Sequence, residues 1–394
     1  MSSNVEIVAQ KIENTLYAAV IQQKKTIDLY ADSKAIFPLW GSVYLGKVEK
    51  IDTVLDGAFV SLGGNQQGFL PAKHVYKKNI ETKNDSISTL LKPGQPVIVQ
   101  IKSEAKEKTE HEHQKQPRLT MKLYIHGRAL LYSPTANKVT ISRYIDDKDV
   151  LKLAYDLKSK GGWIFRDAAE HTDLTHLQTE ADYLQSTWDH ILGLAKENED
   201  TPRLLYQGPD AVCRAMVDYA AHTVTRIDIS DDCNTDKIKT WCEYHAPGLC
   251  QNIYTEPSQT VDLFDMRDVY GALGSALETR VDLKDGGSLI IEHAHACTII
   301  DVNRGSASDI KALNLQAARE VARQIKLRNM SGAILIDFIN LRLKSDRYHL
   351  VETLEKHVGQ DPGNTHVHGF TRLGMMEITR TRRTATLLEK HHQD

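Results

Sequence analysis

The sequence predicts a multidomain chain of mixed α+β and α/β character, on three observations. Its 394 residues exceed the roughly 100–200 expected of one domain and imply two to four. Between about residues 43 and 101, short β-rich runs (VYLGKVEKI, GAFVSL, GFLPA, PVIVQI) are bounded by Gly, Pro, Asn or Asp, the pattern of a small barrel. From Gly286 onward, apolar runs alternate with an amphipathic stretch, the strand–helix–strand order of an α/β unit.

Composition narrows the class. Hydrophobic residues at 41% and charged residues at 26% suit a soluble globular protein and exclude a disordered or coiled-coil chain. No window approaches the ~18 apolar residues of a membrane span. The start, MSSNVEIVAQKIENTLY, has no basic region before an apolar core, so no secretory signal is expected. Five scattered cysteines without a C-x-x-C suit a reducing cytoplasm and neither a disulfide framework nor a thiolate zinc site. The net charge of −3 hardly marks a nucleic-acid binder, but residues 301–394 hold 15 Lys and Arg against 11 Asp and Glu.

The elements follow in order. VEIVAQ reads as a strand, and ENTLYAAVIQQKKTIDLYAD as two strands about a polar turn that no Gly or Pro marks. The barrel runs come next, then SEAKEKTEHEHQKQPR (103–118), an exposed polar loop. Residues 148–160 and 177–198 are expected to be helical, the second with Leu184, Trp188, Ile191 and Leu192 on one stripe. DAVCRAMVDYAA (helix), VTRIDIS (strand) and DKIKTWCEYHAPG (helix, stopped at Pro247-Gly248) alternate. SLIIEHAHACTIIDVN reads as one long β run. A helix at 310–328 carries Ile310, Leu313, Ala317, Val321 and Ile325, GAILIDFINL is a buried strand, and a second helix and a basic Thr/Arg-rich end complete the chain.

Two aspartates sit where chemistry is possible. Asp301 ends CTIIDVN and Asp337 interrupts AILIDFI. A carboxylate among β-branched residues loses hydration and needs a cation, a donor or a metal. Strands flanking one helix can lie side by side, and a divalent ion would turn the repulsion between two carboxylates into attraction. Capping a turn or pairing with an arginine would satisfy each aspartate equally well. Asn303 shares the strand face of Asp301 and suits either a water-orienting amide or an Asx turn. His293, His295 and Cys297 fall in parity with Asp301 if no turn intervenes, but without a fourth partner they do not predict zinc. His111, His113 and the doublet His391-His392 read as solvated. Tyr44, Phe59 and Phe69 are candidates for base stacking or for barrel core. Lys47, Lys73, Lys102 and Lys115 are candidates for phosphate contact. Arg372, Arg380, Arg382 and Arg383 crowd the end of the chain, as a phosphate-binding set or as a solvated basic helix.

The stretches LGKVEKIDTVLDGAFVSLGGNQQGFLPAKHV, LLYQGPD, TIIDVN, LNLQAAREVARQIKLRNMSGAILIDFINL and GFTRLGMMEITRTR stand in one order. In that combination the chain resembles the catalytic half of the bacterial RNase E/G endoribonucleases over essentially its full length. The resemblance implies an RNase H-like subdomain in two parts (1–36 and 213–280), an inserted S1-type OB-fold barrel (37–120), a region sensing RNA 5′ ends (121–212) and a DNase I-like catalytic subdomain (281–394). It implies that Asp301 and Asp337 hold Mg²⁺ with Asn303 beside them, that Phe59 and Phe69 are RNA-contacting barrel aromatics, and that Arg166 senses a 5′-phosphate.

The chain also departs from the family. The loop after Asp301 is shorter, His295 stands where an acidic residue is frequent, and Asp167 replaces a threonine after the sensor arginine. The cysteine pair that links protomers through zinc is absent, so no zinc-linked tetramer is expected, and a homodimer stays open. The expectation is therefore a cytoplasmic, Mg²⁺-dependent endoribonuclease of RNA processing or decay. It would cut single-stranded RNA to 5′-phosphate and 3′-hydroxyl ends, with Asp301, Asn303 and Asp337 catalytic. Tyr44, Phe59, Phe69, Lys115, Arg372, Arg380 and Arg382 would bind RNA, and Asp167 would weaken sensing by repelling the phosphate or by pairing with Arg166. The rival is an RNA-binding protein on a scaffold whose catalysis has decayed.

Overall fold

The computed structural model describes residues 4–33, 39–77, 85–105, 116–284, 286–294, 296–359 and 361–391. Lys115, His111, His113, His295 and His392 lie outside them. Among the described residues no helix is long and apolar enough to cross a membrane, and all five cysteines are free.

The first sheet joins the two ends of a long insertion. Asn4–Ile12, Thr15–Gln22 and Lys25–Ser33 form an antiparallel meander, and Asn4–Ile12 also pairs in parallel with Thr223–Ser230, beside Ile253–Glu256. Gln23 and Lys24 both take positive φ (50° and 62°), the geometry that lets a two-residue hairpin match strand twist. Helices Ala211–Asp218 and Thr235–His245 pack on one face of the sheet, burying Val5, Ala18 and Ile227. Leu263–Met266 and Val269–Leu277 cover the other, against Val8, Tyr17 and Leu29.

The inserted barrel closes. Its strands run in the order Val43–Asp52, Gly57–Gly63, Gln66–Pro71, Arg118–Thr120, Pro96–Ser103, and the last pairs back with the first. Alternate side chains (Val48, Val60, Leu70, Val99) fill its interior. Arg203–Tyr206 adds a strand against Val43–Asp52 from outside the run the sequence marked. A four-stranded sheet of Ile125–His126, Leu130–Ser133, Val139–Ile141 and Gly162–Phe165 follows, backed by helices Lys148–Leu157 and Leu174–Glu197.

The C-terminal sheet has six strands: Arg280–Asp282, Ser288–His293, Cys297–Asn303, Gly332–Asp337, Met376–Arg380 and Thr365–Phe370. Two sequence expectations change here. SLIIEHAHACTIIDVN is a hairpin of Ser288–His293 and Cys297–Asn303, not one strand, and the Ala294 N–H donates to the Cys297 carbonyl between them. The basic end contains two strands, because TRLGMMEITR alternates buried Met376 and Ile378 with half-buried Glu377. Helices Ile310–Leu327 and Lys344–Val358 cover one face of this sheet, burying Ile300, Val302, Ile334 and Ile336. The opposite face is open.

Buried charges tie the C-terminal segment to the first sheet. Arg214 grips Asp32 in a bidentate pair (2.7 and 3.1 Å). Lys390 Nζ lies 3.3 Å from Glu104 and 3.5 Å from Asp32. Glu104 in turn accepts from the N–H groups of Trp40 and Ala385 (3.1 and 2.8 Å). Nearby, Asp28 accepts from the Tyr219 hydroxyl and the Leu29 N–H (3.1 and 2.9 Å). Burial pushes its carboxyl up to about 6, against the pull of Lys326 and Arg380. A raised folded-state pKa makes the charged form the costly one, so stability is lost as pH rises through about 6. Asp28→Asn is therefore expected to stabilise the protein at pH 8 by up to about 3 kcal/mol, and the gain should vanish towards the unfolded value of 3.8. Denaturant titrations at both ends of that range check this; an equal difference at both would contradict it.

Candidate active site and nucleic-acid contact surface

The strands Cys297–Asn303 and Gly332–Asp337 are parallel neighbours joined through the helix Ile310–Leu327, and their register sets Asp301 opposite Asp337. Neighbouring strands lie roughly 4.8 Å apart, so the carboxylates share one patch of the open face. Along the first strand Ile300 and Val302 point into the helix-backed core while Asp301 and Asn303 are exposed. The aspartates are thus not dehydrated, as the apolar runs suggested, because this sheet is covered on one side only. Asn303 Nδ2 donates to Asp301 Oδ2 at 2.8 Å and fixes that carboxylate. Among the described residues neither aspartate has a cationic partner within ion-pair distance, and no group of three or more His, Cys, Asp or Glu forms a ligand cluster. The short loop 304–309 is braced: the Ser306 N–H donates to the Gly286 carbonyl (3.2 Å) and Arg304 Nε to the Ala307 carbonyl (2.7 Å).

The hairpin turn also settles the parity of the histidine run. His293 lies opposite Thr298 and bonds its hydroxyl (3.0 Å), so it leaves the face that carries Cys297 and Asp301.

On the barrel, Phe59 and Phe69 sit directly across from each other on adjacent strands, half-buried, with ring centroids 5.3 Å apart. Both point outward, in alternation with Ala58, Val60 and Leu70 inside. Gly57 makes room for this, since a Cβ there would fall 2.2 Å from the Phe69 ring. Tyr44 must be corrected: at 2% exposure it belongs to the barrel core, because its strand turns that position inward, and it cannot stack a base.

Beside Phe69 lies a concentration of positive charge. Arg118 is its strand partner, and Lys73, His74, Lys102 and Lys122 follow. Lys102 Nζ donates to His74 Nε2 (3.1 Å) and Lys122 Nζ to the Lys73 carbonyl (2.9 Å). Burial first, then Lys102, Lys122, Lys73 and Arg118, push His74 down to about 4, so it is neutral. Of these groups, His74, Lys102 and Lys122 edge a cavity of about 320 Å³ walled also by Trp40, Tyr124 and His126. Sequence reading missed His74, Arg118 and Lys122, because His74 lies far along the chain from the other two and no motif joins them. Lys47 is drawn off to Asp200 at 3.9 Å.

At the far wall, His126 meets Arg166, whose Nη2 is 3.5 Å from its Nδ1 and whose Nη1 donates to the Val217 carbonyl (3.4 Å). Asp167 does not pair with Arg166, since its carboxylate accepts from the Ser142 hydroxyl instead.

The terminal arginines divide. Arg380 is only 6% exposed and is locked to Asp361 (2.6 and 3.0 Å), Asn329 and the Met330 carbonyl. Arg382 is spent on Glu389 and the Ala105 carbonyl, and Arg383 on Asp218. The expected RNA contacts at Arg380 and Arg382 are therefore corrected to structural ones: a strand and a returning segment bury what a solvated helix would expose. Arg372 alone of the four is exposed, at the edge of a cavity that includes Asp337.

Carboxylates paired on the open face of a helix-backed sheet, joined to a barrel with outward aromatics and a basic flank, fit an enzyme that works on nucleic-acid strands. The chain belongs to the ribonuclease E/G family, whose model matches residues 124–383. An S1 RNA binding domain model matches residues 40–114. It is 28% identical to ribonuclease G of Haemophilus influenzae, over 97% of this chain and 80% of that protein. It is likewise 28% identical to ribonuclease G of Escherichia coli (90% and 75%). Against ribonuclease E of a Synechocystis species it is 31% identical over 89% of this chain and 53% of that protein.

If the barrel flank holds phosphates, Lys102→Gln with Lys122→Gln should flatten the slope of log affinity for single-stranded RNA against log salt by about 1.4, since each contact contributes roughly 0.7. Phe59→Ala or Phe69→Ala should weaken binding by roughly 1–3 kcal/mol while leaving the melting midpoint nearly unchanged. Fluorescence anisotropy across a salt series measures both. An unaltered slope, or a large loss of stability with affinity per folded molecule unchanged, would contradict these assignments.

Proposed function

We propose that the protein is a divalent-metal-dependent endoribonuclease that cuts single-stranded RNA during RNA processing or decay in the cytoplasm. The observation that carries this reading is the in-register pair Asp301 and Asp337 on an open sheet face. The donor set fits Mg²⁺: two carboxylates on facing strands, with no His or Cys joining them in a ligand cluster among the described residues, and an exposed face with room for the waters that ion keeps. A Mg²⁺ ion held there would stabilise charge on phosphoryl oxygens and acidify water.

The chain's own groups supply the rest. Asn303 holds the Asp301 carboxylate in place and keeps its amide oxygen free to orient a water for in-line attack on phosphorus. Displacement of the 3′-oxygen then leaves a 5′-phosphate and a 3′-hydroxyl. Arg372 contacts a neighbouring phosphate, and Phe59, Phe69 and the basic flank of the barrel retain the single strand. The DNase I-like label for residues 281–394, the RNase H-like label for the first sheet and the domain boundaries above belong to the same reading. The braced loop 304–309 and the intact carboxylate pair favour it over a decayed, non-catalytic scaffold.

Asp301→Asn and Asp337→Asn should each lower cleavage of a single-stranded RNA by orders of magnitude, as should EDTA, with RNA affinity nearly unchanged. Full cleavage by either variant would remove that carboxylate from the mechanism.

Arg166 is proposed to face the RNA 5′ end. Asp167 bonds Ser142 rather than Arg166, but the Arg166 guanidinium already engages the Val217 carbonyl and His126, and the Asp167 carboxylate adds repulsion of about 1 kcal/mol at 4 Å in water-like surroundings. Preference for 5′-monophosphorylated over 5′-hydroxyl RNA is therefore expected below tenfold, rising in Asp167→Thr. Paired cleavage rates on one RNA with either end decide this, and a tenfold or greater preference in the unaltered protein would contradict it.

A further inference from the structure

A cavity of about 370 Å³ opens beside the carboxylate pair, between the start of the helix Lys344–Val358 and the hairpin that joins the last two strands. Asp337 forms part of its wall, followed by Asn340, and Arg347, Phe370, Arg372 and Leu373 complete it. Its volume lies within the roughly 300–1,000 Å³ of small-molecule sites.

Four features of this cavity are unlike ordinary surface. The Arg347 guanidinium lies over the Phe370 ring, 4.9 Å from its centroid. Neither Arg347 nor Arg372 has a carboxylate partner among the described residues, and Asp346, the residue before Arg347, is taken by Lys311 at 2.7 Å. Leu373 stands 90% exposed at the rim. The hairpin tip beneath it is held by the Thr371 N–H to the Met375 carbonyl (2.7 Å) and the Gly374 N–H to the Thr371 carbonyl (3.0 Å), so the wall is preformed.

We infer that this cavity seats the base of a nucleotide flanking the cut phosphodiester, stacked on the Arg347–Phe370 pair, with its phosphate on Arg372. The inference rests on the nuclease reading above and adds where cleavage-site preference arises. A flat aromatic ring carrying a planar cation offers stacking to any base, since every base has a π-face. Arg347, with five donors, and Asn340, which both donates and accepts, stand at the edge where a base presents its polar groups. An aliphatic ligand would leave the guanidinium uncompensated, whereas a nucleotide brings both a ring and an anion. Asp337 in the wall sets the seat within one nucleotide of the carboxylate pair.

The test uses the full chain and a single-stranded RNA carrying 2-aminopurine at each position in turn around the cleavage site. With EDTA present, one position next to the cut should lose fluorescence on binding the unaltered protein. Phe370→Leu, which keeps the wall apolar, and Arg347→Ala, at the helix surface, should each abolish that quenching and weaken binding of a short RNA roughly 5- to 150-fold. With Mg²⁺, RNAs differing only in the base at that position should show a spread of kcat/KM that collapses in both variants. Unchanged quenching and unchanged spread in variants that melt like the parent would overturn the inference. A parent protein that cleaves nothing would defeat the nuclease reading, yet the EDTA arm would still decide: quenching lost in both variants supports the seat, and no quenching at any position overturns it.

Discussion

The hydrogen-bond register between two parallel strands, Cys297–Asn303 and Gly332–Asp337, is the constraint on which the open face depends. It sets Asp301 against Asp337, Ile300 against Ile336 and Ile299 against Leu335. Side chains alternate with period two, so a slip of one residue would turn Asp337 towards the helix Ile310–Leu327 and bring Ile336 into solvent. The cost of burying that carboxylate unpaired enforces the register. The same alternation that builds the core under Ile300, Val302 and Ile336 therefore delivers two acids to one patch. Asn303, two residues further on, falls on that patch for the same reason and bonds Asp301.

Around this unit the chain is assembled by buried ions. Asp32, Glu104, Arg214 and Lys390 come from four distant segments and satisfy one another where the first sheet, the barrel exit and the C-terminal segment meet. Such pairs are weak sources of net stability but strongly penalise any arrangement that leaves one charge alone. They fix how the returning segment docks. Arg380, Arg382 and Arg383 are recruited for the same purpose, which leaves Arg372, on the hairpin tip, as the arginine of that run with access to the open cavity.

Much of this was legible in the sequence where signals are local. The barrel runs, the stripe Leu313, Ala317, Val321 and Ile325, and the two aspartates each carry their own pattern, and all are where periodicity and turn residues put them. What was not legible depends on partners far along the chain. Tyr44 reads like Phe59 until the strand's inward face is known. Arg380 reads like Arg372 until Asp361 is brought to it by a strand hidden in a basic tail. The turn at Gln23 and Lys24 lacked Gly or Asn, and its left-handed geometry is imposed by the strands it joins. The basic flank of the barrel draws Lys73, Lys102 and the Arg118–Lys122 stretch from three segments, and only closure of the barrel makes them neighbours.

The central claim is that two carboxylates, aligned by strand register, make one divalent-ion site. Titration of Mn²⁺ into the purified protein, followed by electron paramagnetic resonance, tests it without relying on any substrate. The account predicts a bound ion in the unaltered protein whose signal is lost in Asp301→Asn and in Asp337→Asn, with both variants retaining the parent's melting midpoint. Parent-like Mn²⁺ affinity in either variant would contradict it.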